Sequence, residues 1–379
     1  MNFDLTEEQK LIRDNVYDFA QNEIVPGAAE RDRTGQFPLD LIKKMADLGL
    51  MGLPVAEQYG GAGADYISYL LATEEISRAD GSLGLTYDAH IALGIAPIYY
   101  SGSEDQKMKY LPVLCSAEAM GALGLTEPEA GSDSGATKTT AVLDGDSWVI
   151  NGSKCFITNA SYAKFVTITA VTEKGIGTRG ISTFIVPTDA PGFEIRSGYE
   201  KMGLHSSNTT ELFFENVRIP KENLLGPLNN GFRQIMQVLD GGRLAVAAIS
   251  VGIAQACLDA SIKYAQERVQ FGQSISKFQA IQFKIAEMKM NIELARLMYL
   301  KGGWLKDNGR PYTMEASIAK AFASEMATKA ALDAIQIHGG YGYIKEFPVE
   351  RYLRDNKLLE IGEGTSEVQR IIIARRLGL

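Results

Sequence analysis

The 379-residue sequence predicts a multidomain α+β fold. An N-terminal helical domain (residues 1–119) is followed by a central small β-barrel or sandwich domain (120–230) and a C-terminal antiparallel four-helix bundle (231–379). Three observations predict it. Apolar residues recur at helical spacing to about residue 115. The pattern then changes to β-rich runs punctuated by Asp-Gly and Asn-Gly pairs. From Gly231 long Ala-rich helical segments return with short links, as in an antiparallel bundle.

The first helix is expected in TEEQKLIRDNVYDFAQNEIV, where Thr6 is the cap and Leu11, Ile12, Val16, Phe19 and Ala20 repeat on one face. FPLDLIKKMADLGLMGL gives a second, closed by Gly49, and DYISYLLATEEISRAD a third. SLGLTYDAHIALGIAPIYYSG and SEDQKMKYLPVL read as a fourth and fifth. In the middle region Asp144-Gly145 and Asn151-Gly152 are both expected to be hairpin turns. ISTFIVPTD and TTELFFENVRIP add strands. A long helix is expected from about Phe232 to Arg268, with two more in 277–309 and 314–340 and shorter ones to the end. Their alanine faces permit close packing and association between copies.

Composition excludes several classes. Hydrophobic residues are 45% and charged residues 22% of the chain, ordinary for a globular protein. The net charge is −8 and no dense Lys/Arg run occurs, so nucleic acid is not an expected partner. Cys115, Cys155 and Cys257 lack CxxC spacing and read as reduced thiols. His90, His205 and His338 have no ligand spacing with them, so no metal site is expected. The N-terminus lacks a basic-then-apolar leader, and LAVAAISVGIAQACL reads as too short to span a bilayer. The expectation is a cytoplasmic protein without a membrane segment. No Walker loop or strand-linked GxGxxG occurs.

One acid is placed unusually. In LEIGEGTSEVQR, Glu363 lies between two glycines just before a helix, with Ser366 and Gln369 in capping-box spacing. Glycine flanks keep bulk away from whatever must approach that carboxylate.

Six phrases carry a resemblance: GLTEPEAGSD (124–133), NGSKCFITNA (151–160), ERVQFG (267–272), QIHGGYGY (336–343), PVERYLRD (348–355) and EGTSEVQR (363–370). In this order, over essentially the whole chain, they resemble the acyl-CoA dehydrogenases. The resemblance implies FAD-dependent α,β-dehydrogenation of an acyl-CoA thioester in fatty or carboxylic acid degradation. Electrons would go to an electron-transfer flavoprotein. Glu363 would take the α-proton, and its backbone N–H would help polarise the thioester carbonyl. Leu123, Leu125, Thr126, Phe156 and Thr158 would meet the flavin, with Ser132 near the pyrophosphate or the acyl-CoA. Arg268, Gln270, Phe271, Phe278, Gln279, Gln336, Gly339 and Gly340 would hold the dinucleotide of a neighbouring subunit, and Thr365 and Glu367 would touch FAD after the base. Asp240, Arg243 and Gly364 would lie on the substrate side. A shared cofactor implies at least a dimer, and the family pattern a homotetramer, a dimer of dimers. Some relatives carry the base on the first long helix, where this chain has Gly241 and Gly242.

Departures from the family pattern bear on the substrate. Phe156 stands where many relatives have Trp. Gly362 replaces an aromatic residue of many straight-chain enzymes, which opens space for a branched or alicyclic group unless a neighbour refills it. Asp88, in an apolar stretch, reads either as exposed or capped, or as a second, distal base acting on a cyclohexane- or cyclohexene-carboxyl-type acyl-CoA. His205 is expected to act only within the β domain. An acyl-CoA oxidase and a non-catalytic scaffold on this fold are the competing readings.

Overall fold

The structure is a computed structural model that describes residues 4–379; the first residues of the expected N-terminal domain lie outside them. Thr6 opens the first helix, Glu7–Phe19, with a reciprocal capping box. Gln9 N–H donates to Thr6 Oγ1 (3.1 Å) and Thr6 N–H to Gln9 Oε1 (3.0 Å). Gly49, at φ 73°, follows the helix Leu39–Asp47 and ends it in the left-handed conformation that glycine favours. Asp65 and Asp80 cap Tyr66–Ala79 and Gly81–Asp88, two helices buried along most of their length.

The expected fourth helix is not continuous. Gly81–Asp88 widens into a π turn, Ala89–Ile95, before resuming as Ala96–Ser101. Pro97 has no N–H to bond one turn back, so the α ladder cannot run through this point. Gly94 also lies against Gly121, where a Cβ would come within 2.3 Å of the Gly121 Cα.

Eight strands form the middle domain. The main path runs Phe193–Ser197, Thr209–Pro220, Ser147–Thr158, Thr140–Asp144, Phe165–Val171, Ile181–Pro187, Leu224–Leu225, and Leu123–Gly124 lies parallel to Phe165–Val171. Asp144 ends one hairpin arm and Ser147 begins the other. Asn151-Gly152 is no hairpin: Ser147–Thr158 passes straight through it, with a shift in register against Thr209–Pro220. Gly152 adopts φ 146°, and a Cβ there would strike Thr139 at 2.5 Å. Asn151 Oδ1 accepts from the Asn216 N–H, so the pair forms a bulge that the sheet holds from both sides. A second register shift follows Lys154.

The helices Gly231–Glu267, Gln279–Asp307, Thr313–His338, Val349–Lys357 and Ser366–Arg376 complete the chain. Small residues let the first of these lie close to its neighbours: a Cβ at Gly252 would meet the Glu74 carbonyl at 2.3 Å. A single apolar core runs through both helical parts, and a separate one fills the β domain. By length and hydropathy Gly231–Glu267 would suffice to cross a membrane, contrary to the expectation from sequence; 78% of its apolar window is buried inside the protein. His205 reaches beyond the β domain, pairing Nδ1 with Asp32 at 2.9 Å and so joining it to the N-terminal helices.

Candidate active site

Glu363 follows the turn Leu358–Glu360 and precedes the helix Ser366–Arg376. Its φ is 53°. That left-handed conformation is rare for a residue with a Cβ and costs of order 1–3 kcal/mol locally. The neighbours that hold it are specific. Lys320 Nζ donates to the Gly364 carbonyl at 2.7 Å, and Gln369 Nε2 donates to the same oxygen at 2.8 Å and to the Glu363 carbonyl at 3.3 Å. The helix cap is Thr365, whose Oγ1 accepts from Val368 N–H at 3.3 Å, one residue earlier than the Ser366 pattern suggests. The Glu363 N–H has no partner among the described residues. Its Oε2 is buried and unpartnered. Across from it a Cβ at Gly242 would lie only 2.1 Å from that oxygen. A side chain at 242 and the Glu363 carboxyl therefore compete for one space.

Asp88, at the end of Gly81–Asp88, is fully buried, so the exposed alternative is ruled out. Its Oδ1 accepts from the Tyr69 hydroxyl at 2.8 Å, and its Oδ2 is buried without a partner. Burial first, then the charge of Glu363, pushes its carboxyl well up. Burial likewise raises Glu363 to about 7, against the pull of Arg243, Asp88 and Lys320. The two acids thus form a coupled pair in which Asp88 carries the proton and Glu363 is the readier base near neutrality. Arg243 is buried on the same helix as Gly242; its Nη1 donates to Asp240 Oδ1 at 2.5 Å, and Thr313 holds the other Asp240 oxygen at 2.6 Å.

The remaining residues singled out from sequence fall into two groups. On the β-domain side, Leu123 and Leu125 pack with Ile235 and Leu239 of the long helix. The Thr126 carbonyl accepts from the Cys155 N–H at 2.9 Å. Phe156 is 63% exposed at φ 59° and stacks on Tyr199, with 5.0 Å between ring centres. Thr158 ends that strand, and Ser132 lies exposed in its loop. Beneath them Lys154, fully buried, donates to Glu127 Oε1 at 2.7 Å and to the Leu125 carbonyl at 3.1 Å. At the other end of the long helix, Arg268, Gln270, Gly339 and Gly340 line a cavity of about 420 Å³ with Tyr264 and Tyr341. Phe271, 93% exposed at φ 53°, stands edge-on to Phe278. Gln279 begins the next helix, Gln336 is exposed in the last turn of Thr313–His338, and Glu367 is exposed beyond Glu363. One chain does not bring the groups together. Gly242 lies in the first half of the helix Gly231–Glu267 and Arg268 caps its far end. At the α-helical rise the two stand roughly 39 Å apart along the axis.

Sequence reasoning missed Lys320, Lys154 and Lys306. Lys320 sits inside an Ala-rich run, and that local mismatch was the available sign; Lys154, after Asn-Gly-Ser, and Lys306, before Asp-Asn-Gly, have polar neighbours and gave none.

A carboxyl held between glycines with its Oε2 buried and unpartnered is the arrangement of an enzyme's general base. Residues 6–118, 122–217 and 229–378 match the N-terminal, middle and C-terminal domains of acyl-CoA dehydrogenase. The chain belongs to the acyl-CoA dehydrogenase family. It is 60% identical, over all of both chains, to a probable acyl-CoA dehydrogenase, YngJ, of Bacillus subtilis. It superposes on butyryl-CoA dehydrogenase from Megasphaera elsdenii with a TM-score of 0.98 at 42% identity, covering 100% of each chain. A chain from a structure described as the electron-transferring flavoprotein of Acidaminococcus fermentans gives 0.98 at 47% identity, covering 100% of this chain and 99% of that one.

Proposed function

We propose that the protein is an FAD-dependent acyl-CoA dehydrogenase in which Glu363 removes the α-proton of an acyl thioester. The observation that carries this is the buried, unpartnered Oε2 of Glu363, on a half-buried residue whose carboxyl is pushed up to about 7 and whose left-handed backbone keeps its own N–H free. A carboxylate that is ionised only near neutrality is a stronger base than a solvated one. The free Glu363 N–H lies beside it and suits the developing charge on the thioester oxygen; one such donor is typically worth about 10²–10³ in rate. Asp88, protonated, leaves the negative charge on the acid that faces the substrate.

The residues present fit FAD. Phe156 presents an open ring, Leu125 and Thr126 present backbone beside it, and Arg268 offers a phosphate-gripping fork at a cavity where Gly339 and Gly340 leave open space. When bound, FAD supplies the acceptor for the hydride that leaves the β-carbon. The two groups lie too far apart on one chain to hold one cofactor, which supports a site shared between subunits and an oligomer that is at least a dimer, a homotetramer in the full reading. The electron-transfer flavoprotein is the proposed electron acceptor, in line with the relative named above. Anaerobic addition of butyryl-CoA should bleach the flavin, and Glu363→Gln should abolish bleaching while retaining FAD; bleaching by the Gln variant at wild-type rate would refute the assignment. Rapid reoxidation of the reduced flavin by air would favour the oxidase reading.

A second reading is favoured by Asp88 and by Gly362. A Cβ at 362 would meet the Leu358 carbonyl oxygen at 3.6 Å and its Cγ at 3.9 Å, ordinary contacts that admit a small side chain. A ring-bearing acyl group would then lie against these residues, and Asp88 would act as distal base after passing its own proton to Glu363. Asp88→Asn should then lose turnover of a cyclohexene-carboxyl thioester while keeping that of butyryl-CoA; equal retention of both removes this reading.

A further inference from the structure

Next to the carboxyl pair lies a narrow cavity of about 20 Å³, room for about one water molecule. Val55, Ile91, Ala92, Ile95, Val238 and Gly241 line it. Gly241 precedes the residue that faces Glu363, and Tyr66, on the cavity wall, feels the charges of both Asp88 and Glu363.

A cation closes the far end. Lys306 Nζ lies 4.4 Å from the centre of the Tyr66 ring, 4.8 Å from Tyr100 and 5.2 Å from Tyr312, and it donates to the Tyr312 hydroxyl at 3.1 Å. That hydroxyl is its one hydrogen-bond acceptor among the described residues, so aromatic faces meet the rest of the charge. Neither nearby carboxylate pairs with it. Asp307 accepts from the N–H groups of Tyr66 (2.8 Å) and Ile67 (3.2 Å), and Asp240 is taken by Arg243 and Thr313. A Cβ at Gly241 would come within 3.2 Å of Nζ and 2.9 Å of the Tyr66 hydroxyl, so the passage is already narrow.

We infer that Lys306 and its three tyrosines form the end wall of the acyl pocket and restrict the enzyme to short acyl chains. This rests on the acyl-CoA dehydrogenase reading above. A short chain stops before the ammonium. A longer one must push a methyl group into a space that holds one water, and must separate the cation from its rings while offering it no acceptor.

The test is kcat/KM of the holoenzyme for butyryl-, hexanoyl- and octanoyl-CoA, in wild type, Lys306→Ala and Gly241→Ala. Lys306→Ala should raise the octanoyl-to-butyryl ratio at least about tenfold, the scale of misfitting methylenes in an apolar pocket. Gly241→Ala should move the hexanoyl-to-butyryl ratio the other way. Flavin absorbance and melting temperature report folding, and Lys306→Met serves if the alanine variant does not fold. Unchanged ratios in folded variants would overturn the inference. So would wild-type preference for glutaryl-CoA over butyryl-CoA, because Lys306 would then be a receptor for a terminal carboxylate. A wild type that no acyl-CoA bleaches would fail at the earlier step, that of family chemistry.

Discussion

Gly242→Ala should separate catalysis from stability. Its methyl group would sit 2.1 Å from Glu363 Oε2 and 2.9 Å from the carboxyl carbon, whereas real Cβ contacts essentially never fall below 3.0 Å. The carboxyl must therefore retreat by about 1 Å, and a misplacement of that size in a reacting group can cost about 10² in rate. The fold should barely notice. Alanine in a helix interior gains ~0.5–1 kcal/mol over glycine, and mild overpacking costs ~1–3 kcal/mol. Stopped-flow bleaching of the flavin by butyryl-CoA, with a thermal melt alongside, measures both. The expected result is a rate about a hundredfold lower with a melting temperature within a few degrees of wild type. A variant that bleaches within about twofold of wild type would show that Glu363 does not work from its observed position.

Three further outcomes rest on the same geometry. Burial raises Glu363 from 4.5 to about 7, so the folded protein holds a proton that the unfolded chain has lost, and stability falls as pH rises across that window. Glu363→Gln should therefore be more stable than wild type at pH 8, by up to ~3 kcal/mol in denaturant titration, and little different at pH 4.5; a pH-independent difference would contradict this. Burial opposes the charge on Glu127, yet the Lys154 ammonium pulls that carboxyl down to about 2. Lys154→Met leaves it buried and unpaired, and should cost ~3–5 kcal/mol of unfolding free energy; a loss below ~1 kcal/mol would contradict this. Co-expressing Glu363→Gln with Arg268→Glu should restore activity that each variant lacks, because one of the two composite sites in a mixed dimer is then wild type; no recovery in isolated heterodimers would show that each site lies within one chain.

Much of the architecture was legible because the period of the apolar pattern changes twice, near residue 120 and at Gly231. The Thr6 cap, the Asp144-Gly145 hairpin and the long Ala-rich helices are local signals with local causes. The misreadings were tertiary. Asn151-Gly152 has the composition of a turn, yet it became a bulge because Thr139 and Asn216 occupy its surroundings. The helix through 82–101 looked unbroken because its apolar pattern continues past Pro97, whose missing N–H breaks the α ladder, while the packing of Gly94 on Gly121 is visible only in the fold. At the site, Glu363 stood out through its glycines. Its partnership with Asp88, far earlier in the chain, and the support of Lys320 beneath Gly364 depend on folding and left no spacing to read.

The wide turn just after Asp88 carries a mutational consequence. A π turn amounts to one surplus residue in an α-helix. Excising a single amino acid between 89 and 95 would let this stretch wind as a regular α-helix, with the segments on either side kept in phase. Asp88 would keep its bearing toward Glu363, whereas the same deletion within the regular helix Tyr66–Ala79 would turn the segment before it by about 100°.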